Sequence, residues 1–591
     1  MSPSLSFDGR DLVLKADRGV PGLKQVLGAR WSPSSGGWTL PPTSLSVLKI
    51  VEWLGEDVLN GAPQEVKDLA LEPWGFKGFT DEERKAAESH PQWSKLFPFQ
   101  REGVEWMYCN PHGAGLCSLS WGMGKGAVAC VTADLLEAKK VLVLAPLTLA
   151  PAWIGEFDRW TEGRHVKRAT PGDREPGPEV TIANHELVNE VVLIDEHGDV
   201  LDVDWSRNAR KVKEWRDAGP ARQLPNGKIA PARQRVTRAH PSYTNADWDL
   251  IVVDESVLLK NRKAVKLKVL AEIRKASDPY VFLLSGSPIT RHRDDLWSQM
   301  NTLLPRGFTS YWRFAETFCV VDKGGWGWTI EGDNPENDPH EYLKDMMWVK
   351  SQDEAMPDLP EYVVTHMPLE PLPAQRRALD SMMNEWIVEL EGDPTSTVSA
   401  DTWLARSTRL QQITSNMASL PGGFAPASAK EDCLLDLLGR GEIELPLLVW
   451  AWYVETAKQL EDSISSAFPS LRVKSVTGSM KSSEKDDSIA AYKEGGLDVL
   501  VLQMGVGKFG HTFTNTKTVF YHDRSFDSDA YVQSLARVRR IGLQHQPALI
   551  VPELAGSADA LITANLEGKL ESVAKLTNAD LARLLGSLKA A

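Results

Sequence analysis

GLCSLSWGMGKGAVACVTAD, residues 115–134, decides how this 591-residue chain is read. It is an apolar run ending at Leu119, a tight loop Trp121-Gly122-Met123-Gly124-Lys125, and then the start of a helix. That order makes a cradle for a triphosphate. Glycines let backbone N–H groups come close to the anion, the helix N-terminus faces it, and the lysine reaches the β/γ oxygens. The stretch therefore predicts Gly122, Met123, Gly124, Lys125 and Gly126 as nucleotide-binding. Two positions depart from the general pattern: Leu119 stands where a glycine is expected, and Gly126 where a serine or threonine is expected. A GxGK alone is usually a turn, so the reading depends on the rest of the chain.

The length predicts several domains, each large enough for its own core. No apolar run is long enough to span a bilayer, and the start, MSPSLSFDGRDL, has neither a basic n-region nor an apolar h-region. Five scattered cysteines form no CxxC pair and read as reduced thiols without a zinc site. These features predict a cytoplasmic protein, nucleoid-associated in a prokaryotic or viral setting. A net charge of −14 argues against wrapping nucleic acid over the whole surface, while leaving room for a local basic groove.

Residues 1–60 read as a small α+β unit. Leu12–Lys15 predicts a strand, Gly22–Leu27 a helix, Ala29–Trp31 with Gly37–Leu40 a hairpin, and Leu45–Leu54 an amphipathic helix. Residues 61–94 read as a linker. From 95 to 305 strands and helices alternate, the pattern of a parallel sheet covered on both faces. Val141–Ala145, Leu250–Val253 and Val281–Leu284 are continuous apolar runs of the kind found in buried central strands. Ligand chemistry in such sheets sits at strand carboxyl ends. Here those ends carry Lys125, the pair Asp254-Glu255, and Ser285-Gly286-Ser287-Pro288.

In order along residues 95–565, the chain resembles the superfamily 2 helicase-like ATPases of the Swi/Snf type. Phe97-Pro-Phe-Gln100 looks like the segment whose glutamine reads adenine. Leu144–Leu149 with Trp153, Glu156 and Phe157 matches the next motif. Val253-Asp-Glu-Ser-Val257 with Lys260-Asn261 resembles the DExH-plus-KN box. Leu284-Ser-Gly-Ser-Pro-Ile289 with Leu296-Trp297 and Leu303-Leu-Pro305 is similar to the family's SGTP…LW…LLP stretch. Gln533-Ser-Leu-Ala-Arg537-Val-Arg539-Arg540-Ile-Gly542 matches its QxxxRxxRxGQ motif. The GARW…GGWTLP pattern near the start resembles the HARP-like recognition module found beside certain annealing helicases.

The resemblance implies an α/β fold of two RecA-like lobes, 95–305 and 425–570. It implies a helical protrusion and linker at 306–424, and residues 571–591 read as a terminal helix. It also implies ATP and Mg²⁺ as cofactors. Lys125 would supply charge, Asp254 would hold the metal, Glu255 would polarise the attacking water, and Arg537 and Arg540 would act as arginine fingers. Gly126 departs from the metal-ligating Thr or Ser, so nucleotide binding is a firmer expectation than fast turnover. Gly126→Thr is expected to restore the hydroxyl unless the loop has tightened around glycine. DNA contacts are expected from Arg30, Lys260 and a basic insertion at about 190–245. Its residues 205–240 hold ten Lys/Arg against two acids, among them Arg233, Arg235 and Arg238.

The expected function is a monomeric, ATP-dependent translocase on duplex or forked DNA, remodelling or reannealing branches, with no membrane association. Its rivals are a DNA-binding scaffold with a decayed ATPase and a conventional strand-separating helicase.

Overall fold

A strand buried on both faces needs an almost unbroken apolar sequence, and the runs around the phosphate loop meet that need. In the computed structural model, Ala114–Leu119, Val141–Leu144, Val180–Ala183 and Leu250–Val253 are buried along their whole length. The structure describes all residues except 1–2, 17–28, 196–198, 205–220, 224–228, 232–233, 325–326, 392–399, 421–427, 508–510, 526–527 and 567–591. The chain divides into two units, 1–355 and 356–591.

The first unit is built on a seven-stranded sheet. Its order is Met347–Lys350, Ala114–Leu119, Tyr280–Ser285, Leu250–Val253, Val141–Leu144, Val180–Ala183 and Val166–Arg168. Every neighbouring pair is parallel. All strands thus end on one edge, and the three polar segments picked out by sequence lie along it. The second unit repeats the plan with six parallel strands, ordered Val363–Leu369, Ala548–Leu554, Thr518–Tyr521, Leu447–Ala451, Val499–Gln503 and Val473–Val476. Two RecA-like lobes account for both sheets.

Residues 306–424 differ from the helical protrusion expected of them. Met347–Lys350 closes one edge of the first sheet and Val363–Leu369 one edge of the second. The two long helices, Pro373–Glu391 and Ala400–Ser415, belong to the second unit. Leu379 and Met383 of the first helix pack with Leu410 and Ile413 of the second, in a core that also holds Leu554. Val363–Leu369 is mostly exposed and so lacks an apolar run, whereas Met347–Lys350, with Met347 and Trp348 buried, pairs with a strand far earlier in the chain.

The amino-terminal α+β unit forms as expected, with one further strand. Its antiparallel sheet runs Ser4–Phe7, Leu12–Lys15, Gly37–Leu40, Arg30–Ser32. Trp31 meets Trp38 edge to face at 5.8 Å. Thr43 caps the helix Ser44–Leu54 by accepting a hydrogen bond from the Ser46 N–H. The helix predicted at 22–27 and the terminal helix at 571–591 lie outside the described residues.

The stretch 61–94 is not a bare linker. It forms helices Gln64–Leu71 and Asp81–Glu88, and Val66 and Leu69 complete the module's core with Leu12, Leu14, Val47 and Ile50. Nor does the module stand apart from the first lobe. Leu45 is buried in the lobe's own core. The Ser44 N–H donates to Asp345 Oδ2 at 3.2 Å, and His112 Nε2 lies 2.8 Å from the same oxygen. Lys49 donates to Asn337 and stands 4.4 Å over the Tyr342 ring. Lys344 donates to the carbonyls of Ala70 and Glu72.

Asp345 is fully buried and serves both sides of this junction. Asp345→Ala should therefore cost about 3 kcal/mol, the range for removing one partner of a buried charged contact. Chemical denaturation should show one lowered transition for the first lobe together with the module. An unchanged midpoint would mean that the junction contributes nothing to stability.

Candidate functional site

The phosphate loop is shaped by two glycines in the left-handed region, Gly122 (φ +81°) and Gly124 (φ +75°). The helix Lys125–Leu135 starts directly behind them. Lys125 Nζ donates to the Leu119 carbonyl at 3.0 Å, which folds the side chain back over the loop. Gln100 braces the loop. It is buried, its Oε1 accepts the Phe97 N–H at 3.0 Å, and its Nε2 donates to the Met123 carbonyl at 3.0 Å. The glutamine expected to read adenine thus uses its amide to hold Met123 in place.

Asp254 and Glu255 follow the strand Leu250–Val253. Asp254 Oδ1 accepts the Glu255 N–H at 2.9 Å, and Oδ2 accepts the Trp153 Nε1–H at 2.8 Å. Burial pushes the Asp254 carboxyl above the ordinary range, against the nearby charge of Lys125 and these two hydrogen bonds. Glu255 has φ +50°, a left-handed conformation that costs a side-chain-bearing residue about 1–2 kcal/mol. Strain of this kind gathers at functional sites, where the surroundings over-determine the backbone.

The third strand end is tied to the first. A Cβ on Gly286 would lie 2.5 Å from the Trp121 indole, so only glycine lets the loop tryptophan seat on the Ser285-Gly286-Ser287 turn. Lys260 donates to Thr290 Oγ1, which in turn donates to Asp295. Ser256 donates to Gln299 Oε1, and the Gln299 Nε2 donates to the Pro288 carbonyl. The DExx turn and the SGSP turn are thereby fixed to one another.

At Gly126 the departure from the motif has a spatial counterpart. A Cβ there would lie 2.8 Å from Cγ and 3.0 Å from Oε2 of Glu156. The volume of the expected hydroxyl is taken by a carboxylate carried on the helix Ala150–Trp160. The Gly126→Thr change would have to displace Glu156 before its hydroxyl could serve, so restoration by that change alone is not expected. Trp153 and Glu156 belong to a motif to which the sequence attaches no role. Their spacing of three on one helical face, directly after a buried strand, is the available signal.

The residues present fit a magnesium-bound phosphate. Among the described residues no three His, Cys, Asp or Glu side chains form a closed metal cage. Mg²⁺ takes few protein ligands, commonly one or two carboxylates, and fills its remaining positions with phosphate oxygens and water.

In the second unit, Arg537 and Arg540 both direct Nη1 to the His511 carbonyl, at 3.5 and 3.1 Å, and Arg540 also donates to Thr512. Burial, with the charges of Lys493 and Arg537, pushes His511 down to about 4. Burial and Arg540 also lower Lys493.

The residues expected to meet DNA are more dispersed. Arg30 is exposed and lines a recess of about 110 Å³ with Arg10, Asp11 and Arg306. The basic insertion is a three-stranded antiparallel sheet, Val200–Asp204, Asn189–Ile194 and Gln234–Ala239, beside a hairpin of Ala221–Gln223 and Ile229–Pro231. Arg235 is exposed on it. Arg238 is 2.7 Å from the buried Glu190 carboxylate and is held against the sheet by that pair. Arg233 lies outside the described residues.

The SNF2-related domain, as a family description, matches residues 99–418, and the helicase conserved C-terminal domain matches residues 429–542. The chain is 23% identical over 498 residues to the DNA annealing helicase and endonuclease ZRANB3 of Mus musculus, covering 82% of this chain and 41% of that protein. It is 21% identical over 348 residues to a Caenorhabditis elegans homolog of SWI/SNF-related matrix-associated actin-dependent regulator of chromatin subfamily A-like protein 1, covering 57% and 43%. The chain therefore spans less than half the length of either relative. Among solved structures, the Sulfolobus solfataricus SWI2/SNF2 ATPase core in complex with dsDNA is 19% identical, with a TM-score of 0.36 and coverage of 83% and 94%.

Trp153 stabilises the ionised form of Asp254, whose carboxyl burial already raises. Trp153→Phe removes that hydrogen bond and should raise it further. The acid limb of Mg²⁺-nucleotide binding should then move to higher pH, while binding well above the limb stays near wild type. Titrating a fluorescent ATP analogue across pH reads this directly, and an unmoved limb would show that the indole does not tune Asp254.

Proposed function

The chain belongs to the family that carries an SNF2-related domain, and from that premise we propose that it is an ATP-driven motor acting on duplex or branched DNA. The observation that carries the reading is the joining of three polar segments along one edge of a parallel sheet. Trp153 holds Asp254, Trp121 seats on Gly286, and Lys260 holds Thr290.

Each group has a task in this reading. The loop N–H groups and Lys125 take the phosphates, and Mg²⁺ held in part by Asp254 would neutralise charge on the β/γ oxygens. Glu255 orients and polarises the attacking water. Its fixed backbone places the carboxylate without searching, and this is where general-base positioning gains rate. Arg537 and Arg540 are assigned the positive charge that the transition state needs.

DNA engagement is assigned to Lys260, to the exposed Arg235 on the insertion, and to the recess around Arg30, where three guanidinium groups suit a phosphodiester. Residues 1–60 are read as a HARP-like recognition module. The relatives named as DNA annealing helicases favour reannealing of strands, and the HARP-like reading of the amino-terminal module favours forks as the substrate. A scaffold with a decayed ATPase is the second reading, and Gly126 is the one observation in its favour.

ATPase measured with single-stranded, duplex and forked DNA tests the proposal, and stimulation by duplex or forked DNA is expected. Glu255→Gln should leave nucleotide and DNA binding in place and reduce turnover by about 100-fold or more. Unchanged hydrolysis in that variant would remove Glu255 from its role, and absence of hydrolysis in the wild type on every DNA would favour the scaffold.

Arg235→Ser should lower the slope of log binding constant against log salt by about 1, the value for one lost phosphate contact. Arg238→Ser should instead destabilise the insertion, because it strands the buried Glu190. Equal salt slopes for the Arg235 variant and the wild type would place the insertion away from phosphate.

A further inference from the structure

We propose that residues 311–333 of the first lobe carry a stacking platform for the unpaired bases of single-stranded DNA, a site separate from the phosphate contacts assigned above. The inference rests on the reading that the chain acts on DNA, and it adds a substrate feature to that reading.

The platform is built from side chains that the core does not use. In the helix Tyr311–Phe318, Phe314, Ala315 and Phe318 are buried, which leaves Trp312 and Arg313 off the apolar face. The hairpin that follows pairs Cys319–Asp322 with Thr329–Asp333, and Cys319 is its one buried strand residue. Trp328, just before the second strand, keeps 40% of its surface in water.

The rings alternate with cations. Tyr311 and Trp312 lie 4.9 Å apart and Trp312 and Trp328 5.2 Å apart, both edge to face. The Arg262 guanidinium stands over the Tyr311 ring at 3.9 Å and lies 5.6 Å from that of Trp312, while Lys323 Nζ is 4.8 Å over Trp328. Tyr311 is the fixed member, because its hydroxyl donates to Asp294 Oδ2 at 2.7 Å and Trp297 meets it edge to face at 5.7 Å. Arg262 is exposed and follows Lys260 by two residues, so one end of the track continues the DNA contact assigned to Lys260. At the other end Lys323 and Arg313 line a recess of about 390 Å³ together with Lys49 and Trp53 of the amino-terminal module.

A two-stranded hairpin is marginal in water without further packing, and Trp312 against Trp328 supplies some. Packing alone requires neither a cation at each end nor an indole left so far in solvent. Single-stranded DNA uses both. Its bases offer open faces that stack on aromatic rings and guanidinium planes, and its phosphates follow the flanking cations. A blunt duplex keeps those faces inside the stack. Glu316 already pairs with Lys323, and Glu52 with Lys49. Stacking is therefore the larger source of affinity here and charge the smaller. A fork presents its duplex to the motor and its free strand to this platform at the same time.

The test uses the full chain and three fluorescein-labelled DNAs, an oligothymidylate strand, a blunt duplex and a fork with two single-stranded arms, each read by anisotropy. Trp328→Ala should weaken binding of the strand by about tenfold, within the range for one lost base stack, and should weaken fork binding as well. Blunt duplex should change by no more than about twofold, the scale of a surface substitution away from the contact. Trp328→Tyr keeps a ring and should recover most of the loss. The ratio of wild type to Trp328→Ala should hold as salt rises, because a lost stack releases no counterions. Thermal unfolding shows that each variant is folded. The wild type also reports without substitution: oligothymidylate carrying 5-iodouracil, irradiated and mapped by mass spectrometry, should crosslink at Trp312 or Trp328.

Strand binding by Trp328→Ala equal to that of the wild type overturns the platform and leaves the motor reading standing. So does an equal loss on all three DNAs, or crosslinking confined to other residues. If the wild type binds none of the three, the reading that the chain acts on DNA fails, and the platform with it.

Discussion

The whole first lobe depends on parallel pairing. When Leu250–Val253 pairs in parallel with both Val141–Leu144 and Tyr280–Ser285, and the latter with Ala114–Leu119, the strands finish at one edge by construction. Groups far apart in the chain then become neighbours without long side chains or long loops. Parallel pairing carries a condition, because it needs helices over both faces and hence continuous apolar strands. The same apolar runs that make the strands buried make their polar ends conspicuous. The site is a consequence of the sheet's direction, and its residues are the ones that cannot be apolar.

Burial sets the electrostatics of that edge. Taking Asp254 out of water raises its carboxyl above the ordinary range, while the charge of Lys125 and two hydrogen bonds pull the other way. A buried carboxylate without such support takes up a proton. The Trp153 indole is one of the two donors, so a residue that reads as core packing belongs to the charge balance of the site. In the second lobe burial works with the charges of Lys493 and Arg537 to push His511 down to about 4.

The central strands, both lobes and the polar strand ends were legible in the sequence because continuous apolar runs of four to six residues, too short for helices and bounded by turn signals, recur in alternation with helical segments. Edge strands were not. Val363–Leu369 leaves Val363 and Val364 about half exposed and contains Pro368, and Met347–Lys350 pairs with a strand far earlier in the chain. Neither has the periodicity or the neighbourhood that a sequence window detects. Charge was legible in amount but not in purpose. Arg235 and Arg238 lie close together in one basic stretch, yet one faces solvent and the other neutralises the buried Glu190. Gln100 stands out in sequence as a residue with a base to read, whereas its amide holds the loop. In both cases the residue type was informative and its partner was not, because the partner comes from a distant part of the fold.

Gly126 shows how far that distance matters. A motif is a pattern of residues, whereas chemistry needs a pattern of atoms in space. A missing hydroxyl reads as a defect only while position 126 is considered alone. Once the helix Ala150–Trp160 is in place, the same glycine is the condition for Glu156 to reach the loop. The space that a side chain at position 126 would need is held by the Glu156 carboxylate, so the loop and the helix have to be read together.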